Sequence, residues 1–398
     1  MPRHARRKRD TWRFFGRRGW NNILSKQLYP TCKDYAWAFK QWGRIPRAYI
    51  LPKRKKQFIK GRPIVAFIDA MGRQLWEGLS DILQMMTFQA CPDSFHQGDG
   101  TTQLQQTAAF LKDTQKQQPT SDYILYNQDL AGFFTSIDKS RFLSAYSLLA
   151  KWYREKNPLH SHIFHIDHTQ KDPTHRVHRG KSRQKQQEAA STRSLGIYLA
   201  HIPQLITAVL LLNYFTVGTS LIEQIRGAPM GSPCSPALCN IVVAVEEQCW
   251  HHTYKQLFTN HKHFPHTRPT TQAIFFATRY VDNRVLLIPR QLTRLPPFTQ
   301  LTDASFYKHP VQLETEPGNI FLGFDIDPSR SSLTYQCTLH NADILHPQSA
   351  TSSQTLRSSF QARARMIQRV TTPGEQAAQA VRAMRALYVA AGYTDRQI

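Results

Sequence analysis

Apolar and polar positions divide this chain into short alternating runs and longer runs with helical spacing. Residues 48–51 and 64–68 read as two short strands on either side of a basic loop at 53–60. A helical pattern follows over about 70–88. Residues 122–129 (DYILYNQD) run apolar and end on Asp129, which predicts a core strand; a helix follows near 139–152. Residues 195–223 read as a buried helical stretch, and 236–258 as a further helix entered from a Gly/Pro/Ser-rich loop. Residues 273–289 are two apolar strands around Asp282-Asn283, a hairpin with those two residues at its turn. Two more short strands are expected in 309–327, then a basic helical tail from 352 with a break at Pro373-Gly374.

Residues 154–194 depart from these patterns. They hold six histidines (His160, His162, His165, His168, His175, His178) among many Lys, Arg and Gln, with few apolar residues after Ile166. A partly disordered surface insertion that touches nucleic acid fits this composition better than a metal site, since neither Cys nor a clear carboxylate set accompanies the histidines. Residues 1–20 cluster Arg and Lys with interleaved aromatics, which fits a nuclear-import signal, an arm lying on phosphates, or a solvated tail.

The charge narrows the class of partner. Lys and Arg number 51 against 27 Asp and Glu, a net +24. Such an excess suits a dense line of negative charge, which means nucleic acid first and an anionic membrane second. The longest apolar run, 205–217, contains Asn213 and falls short of the roughly 20 residues that span a bilayer, so no membrane partner is expected. No secretory leader is expected either, and the six cysteines include no CxxC pair; both suit reduced thiols in a nuclear, or otherwise cytoplasmic, protein.

Three segments carry chemistry. In Asp129-Leu-Ala-Gly-Phe-Phe134 a carboxylate ends an apolar strand, either as a rigidly held ligand or as a cap for the next helix. In Arg226-Gly-Ala-Pro-Met230-Gly231-Ser232-Pro233, Gly and Pro shape a loop that lets backbone approach a ligand closely, ahead of an apolar helix. In Tyr280-Val-Asp282-Asn283 an acid sits at a hairpin tip. If Asp129 and Asp282 meet on adjacent strands, they suit two Mg²⁺ ions about 3.5–4 Å apart, with Mn²⁺ able to substitute, and in-line nucleotidyl transfer.

In order, these segments resemble the A, B and C motifs of reverse transcriptases, especially those of group II introns, non-LTR retroelements and telomerase. Leu51-Pro-Lys53 with Gly61-Arg62-Pro-Ile64 is similar to the fingers motifs of that family, and Phe321-Leu322-Gly323-Phe324 to its primer-gripping strand. The resemblance covers about 45–330. It implies an α+β fold of the right-hand polymerase type: a basic arm at 1–44, fingers at 45–120, a palm of antiparallel sheet backed by helices at 121–324 with the insertion at about 154–194, and a helical thumb at 325–398. It implies Asp129 and Asp282 as catalytic metal ligands, assisted by the Leu130 carbonyl and Asn283. It implies Lys53 and Arg62 on phosphates, Phe134 excluding a ribose 2′-hydroxyl, Gly231, Ser232 and Pro233 under template and nascent base pair, and Lys308 as a candidate general acid. Arg226, Met230, Leu322 and Gly323 would meet primer and template, and in the tail Arg363, Arg365, Arg369, Arg382 and Arg385 the duplex backbone.

The implied partners are an RNA template, a DNA or RNA primer, dNTPs, and further domains or proteins of a larger retroelement. Two positions depart from the family pattern. Asn283 stands where the family usually has a second Asp, and Met230 stands where it usually has Gln. The sequence therefore leaves three activities open: DNA synthesis on RNA, RNA synthesis on RNA, and nucleic-acid binding without synthesis.

Overall fold

In this computed structural model the residues described are 12–15, 34–35, 45–52, 61–68, 70, 72–96, 98–117, 122–158, 163–167, 177–179, 194–211, 213–228, 231–259, 275–336, 344, 346–348 and 352–398. In chain order the elements begin with β1 (Trp12–Phe15), β2 (Arg47–Pro52), β3 (Gly61–Ala66), α1 (Arg73–Ala90), α2 (Gly100–Gln117), β4 (Tyr123–Ala131), α3 (Phe133–Ser136) and α4 (Lys139–Lys156). Next come β5 (Ile163–Asp167), β6 (Val177–Arg179), β7 (Ser194–Tyr198), α5 (Ile202–Leu211), β8 (Tyr214–Val217), β9 (Ser220–Gln224) and α6 (Ser235–Thr259). The last part holds β10 (Phe276–Tyr280), β11 (Asn283–Pro289), α7 (Pro296–Thr302), β12 (Gln312–Thr315), β13 (Ile320–Phe321), β14 (Phe324–Asp327), β15 (Ser332–Tyr335), α8 (Ser353–Val370) and α9 (Glu375–Ala390). The fold is α+β, as expected.

The chain forms two units. The first takes Met1–Ser94, Gly132–His251 and Tyr307–Val311; the second takes Phe95–Ala131, His252–Phe306 and Gln312–Ile398. In the first, a five-stranded sheet runs β1-β9-β8-β2-β3 and a three-stranded sheet β6-β5-β7. On α1, Leu75, Leu79, Ile82, Leu83 and Met86 are buried at helical spacing, the stripe expected of a helix laid on a core. Residues 237–245 of α6 are buried all round, which places that stretch at the centre of its unit.

In the second unit an antiparallel sheet runs β10-β11-β4-β12, and a small sheet runs β13-β14-β15. One face of β11 contributes Val285 and Leu287 to a core shared with Leu104 and Leu111 of α2, Phe321, Phe324 and Leu333 of the small sheet, and Phe360, Ile367 and Met384 of α8 and α9. The Ser352 hydroxyl caps α8 by accepting the Thr355 N–H at 3.2 Å. The expected break around Pro373-Gly374 falls between α8 and α9.

Four expectations are corrected. Residues 195–223 are not one helix: β7, a single turn of 3₁₀ helix, α5 and the β8–β9 hairpin share that span. Gly218, at φ 59°, makes the hairpin turn that splits the apolar run. The 154–194 stretch is not wholly a surface insertion, because α4 extends into it and β5 pairs with β6 and β7 while burying Ile163, Phe164 and Ile166. Its histidine series includes His160, His162, His168 and His175, which lie outside the described residues. Part of the basic arm is a strand, with Trp12–Phe15 antiparallel to β9. Finally, 309–327 holds three strands rather than two.

Candidate active site

The catalytic candidates of the second unit are placed by strand register. β4 is a nine-residue strand that pairs with β11 along Tyr123–Asp129 on one side and, at its end, with β12 on the other. Tyr280 pairs with Asn283, Asn283 with Asp129, and Asp129 with Glu314. Directly opposed residues share a face, so these four form a polar row across all four strands, with neighbouring Cβ atoms about 4.5–5.5 Å apart. Asp282 sits at the hairpin tip, and its carbonyl accepts the Leu130 N–H at 2.8 Å. Asp129, Leu130, Asp282 and Asn283 are thus brought together at one end of this sheet.

The turn is shifted by one residue from expectation. Val281 and Asp282 make the loop, and Asn283 opens β11. Val281 adopts φ 58°, a costly conformation for a β-branched residue. It is secured by Arg279, whose Nη1 donates to the Val281 carbonyl at 3.0 Å. Arg279 is fully buried and pairs across the sheet with Arg284, which is also fully buried. The Arg284 Nη2 donates to the Gln128 side-chain oxygen and, at 2.8 Å, to the Leu301 carbonyl, and its guanidinium lies 5.1 Å from the centre of the Phe306 ring. These contacts on the face opposite the polar row fix β4 against β11 from beneath.

Asp129 and Asp282 are half-buried. The side-chain oxygen of Asn283 is buried and has no hydrogen-bond partner among the described residues. Two carboxylates, an unpaired amide oxygen and adjacent backbone carbonyls are hard oxygen donors, the set that suits Mg²⁺ when substrate phosphates and water complete its shell. Among the described residues no three His, Cys, Asp or Glu side chains converge on a metal-sized point. The donor set therefore fits a two-carboxylate site rather than a closed protein cage. The buried Gln103 supports the neighbouring wall: its amide nitrogen lies 3.0 Å from His96 Nδ1, and the Thr278 hydroxyl donates to its oxygen at 3.3 Å.

Leu322 and Gly323, at φ 50° and 85°, form the tight turn between β13 and β14. On Gly100, at the start of α2, a Cβ would stand 3.2 Å from Leu322 and 3.5 Å from the Tyr280 ring, so both side chains lie against that glycine.

The other candidates belong to the first unit. Arg62 occupies β3 opposite Leu51. Lys53 and Met230 lie outside the described residues. Gly231 has φ 109°, and a Cβ there would stand 2.1 Å from the Val65 carbonyl oxygen, so the loop requires glycine. Ser232 is buried and Pro233 half-buried, while Arg226 is exposed and lies 3.7 Å from Asp138. Phe134 is half-buried, edge-on to the buried Phe133 at 5.2 Å. Lys308, at φ 52°, reaches Glu246 at 2.9 Å. Arg141 donates to the Lys308 and His309 carbonyls at 2.9 and 2.8 Å, holding that segment.

Sequence reasoning missed Glu314, Asn127 and Gly227. Glu314 and Asn127 share the Asp129 face by register, and only the register reveals it. Gly227 stood within the recognised loop with no signal to single it out.

No helix among the described residues is long and apolar enough to cross a membrane. No protein-family model matches the chain, and no curated protein matches it. Among solved structures, the chain is similar to telomerase from Candida albicans in complex with a TWJ fragment of telomeric RNA. The TM-score is 0.54 at 11% identity, over 96% of this chain and 64% of that one. It is also similar to telomerase from Candida tropicalis in complex with a TWJ fragment of telomeric RNA. Here the TM-score is 0.51 at 12% identity, over 94% of this chain and 57% of that one. The chain thus spans about two thirds or less of the length of the telomerase chains it matches. At this identity the likeness is one of fold alone: the chain has a telomerase-like fold.

Proposed function

We propose that this chain is an RNA-directed DNA polymerase of retroelement type, adding dNTPs to a primer 3′-hydroxyl, with the Tyr280-Val281-Asp282-Asn283 tip as a variant of the catalytic hairpin. The observation that carries this reading is the closeness of Asp129 on β4 to Asp282 at the tip of the neighbouring β10–β11 hairpin, tied by the Leu130 N–H to the Asp282 carbonyl at 2.8 Å. Mg²⁺, held by Asp129, Asp282 and the oxygens of Leu130 and Asn283, supplies charge neutralisation for a triphosphate and a more acidic primer hydroxyl when bound. Asp129 holds its carboxylate on a strand and Asp282 in a turn tied to that strand, so little reorganisation is needed as charge moves from the primer oxygen to the leaving pyrophosphate.

Following the family resemblance, Phe134 selects deoxyribose, and Lys53 and Arg62 bind phosphate, Arg62 being suited to bidentate contact. Lys308 donates a proton to pyrophosphate. Arg226, Met230, Gly231, Ser232 and Pro233 meet template and base pair, and Leu322 and Gly323 the primer. The telomerase neighbours were solved with a TWJ fragment of telomeric RNA, which supports an RNA partner. The net charge of +24, and the exposed Arg365, Arg369, Arg382 and Arg385 of α8 and α9, support a polyanionic partner. Under this reading 45–120 are fingers, 121–324 mostly palm and 325–398 thumb.

One observation favours a second reading, nucleic-acid binding without synthesis: Asn283 leaves the row one charge short of the usual family set. Primer extension on a primed RNA template, with dNTPs or NTPs and in Mg²⁺ or Mn²⁺, separates these. DNA synthesis that is lost in Asp129→Ala and Asp282→Ala, with primer-template binding kept, supports the polymerase. Synthesis from NTPs alone would make it an RNA polymerase, and salt-sensitive binding with no extension in either metal would favour the binding protein.

A further inference from the structure

Asn127 lies two residues before Asp129 on β4, on the same face of the strand. It is 5% exposed, in a strand position where Asn is a poor choice by propensity. Its side-chain nitrogen donates to two carbonyls of the turn that leads into β13: Gly318 at 3.1 Å and Ile320 at 3.3 Å. Its own backbone carbonyl accepts the Glu316 N–H at 2.9 Å, just beyond the end of β12. Because both side-chain partners are carbonyl oxygens, only an amide nitrogen, with two N–H groups, satisfies the pair. The other end of the amide, Oδ1, is buried with no hydrogen-bond partner among the described residues. A buried acceptor left unpaired is a cost to stability, so the side chain is better explained by the geometry it imposes than by the energy it contributes.

That geometry links two functional segments of one unit. Strand β4 carries Asp129 near its end, and the turn held by Asn127 runs directly into Ile320-Phe321-Leu322-Gly323, the hairpin resembling a primer grip. Resting on the polymerase reading, we propose that Asn127 is a positioning residue: it sets the spacing between the strand that carries Asp129 and the hairpin that carries Leu322 and Gly323. It thereby places the primer 3′-hydroxyl against the catalytic carboxylates. A displacement of about 1 Å at a reacting centre costs on the order of a hundredfold in rate, so a spacer of this kind acts on the chemical step more than on nucleotide affinity.

The test is DNA synthesis by the full chain on a DNA-primed RNA template. For Asn127→Ala, kcat falls about tenfold or more, the primer-template dissociates faster, and KM for dNTP stays within about twofold. Asn127→Asp keeps the size of the side chain but sets a carboxylate with no N–H donor against two carbonyls, and is at least as impaired. In this variant too kcat falls and the primer-template dissociates faster while KM for dNTP stays within about twofold, and this split identifies a positioning role even if Asn127→Ala folds poorly. Unchanged kcat and primer release in both variants would overturn the proposal while leaving the polymerase reading intact. So would a rise in KM for dNTP as large as the fall in kcat in the Asp variant. Absence of extension by the unaltered protein would overturn both.

Discussion

Replacing Gly227 with alanine tests whether the loop that opens at Arg226 is built to hold the segment carrying Phe134. Gly227 adopts φ 74°, where an L-residue with a Cβ loses roughly 1–2 kcal/mol. A Cβ there would stand 2.3 Å from the Phe134 carbonyl oxygen and 2.6 and 2.7 Å from backbone atoms of Thr135, so no flexible side chain is available to move aside. Two hydrogen bonds join the loop to the same segment, Gly227 N–H to Ile137 O and Ala228 N–H to Phe134 O, both 2.8 Å. Each is worth about 1 kcal/mol, and the displacement stretches both. The expected loss is about 3–4 kcal/mol, a large share of the roughly 5–15 kcal/mol that holds a domain together. Urea unfolding followed by tryptophan fluorescence measures it. Because Phe134 moves with its carbonyl, discrimination between dNTP and NTP, read as a ratio of kcat/KM values, falls as well. A loss below about 1 kcal/mol, within the ordinary range for a point substitution, combined with unchanged discrimination would refute the reasoning.

Two further outcomes follow from the site and the core. Asn283→Asp adds a charge beside the proposed metal ligands and lowers the Mg²⁺ concentration for half-maximal extension by about tenfold, as ~1.4 kcal/mol of added attraction would; an unchanged Mg²⁺ titration would place Asn283 away from any metal. Burial, with the Glu247 carboxylate as a lesser contributor, pushes the Cys91 thiol from 9.0 up to about 12. Between these values the unfolded chain has lost a proton that the folded chain keeps, so the stability linked to Cys91 is full below pH 9.0 and disappears as pH rises toward about 12. Urea midpoints for the unaltered protein and Cys91→Ala should therefore converge as pH rises from 8 to 11, and parallel curves would count against it.

What was legible in the sequence is what local patterning controls. The run at 122–129 announces β4, the apolar pair around Asp282 announces the β10–β11 hairpin, and Pro373-Gly374 marks the break between α8 and α9. What was not legible depends on register or on residues acting against propensity. Val281 is a strand former, yet it takes φ 58° in the turn, while Asn283, a turn former, opens a strand. Tertiary anchoring by the buried Arg279 overrides both preferences. The span 195–223 reads as one apolar stretch because Gly218 is the single break in a hairpin whose strands are nearly as apolar as α5. Glu314 and Asn127 have no sequence signature at all, since their roles exist only once β12 and the 316–320 turn lie against β4.

The register also gives Asn283 a physical reason to be uncharged. Asp129 has Glu314 directly opposite on one side and Asn283 directly opposite on the other. Like charges in directly opposed pairs destabilise a sheet. An Asp at 283 would set three carboxylates in consecutive positions of one row, with Asp282 a residue away. With no cation bound, that row would repel itself, most strongly between the half-buried positions 283 and 129, where screening is weaker than at the exposed Glu314. The amide at 283 removes one of the two like-charge contacts around Asp129 and keeps an oxygen that suits a hard cation. Asn283 and Glu314 are therefore best understood as a pair. Where the family that the sequence resembles usually has a carboxylate on β11 this chain has an amide, and the row has its second acid on β12. The same logic fixes the sign of a coupled effect: Asn283→Asp lowers stability without divalent cation and regains it on adding Mg²⁺, because a cation that binds only the folded site stabilises it by mass action.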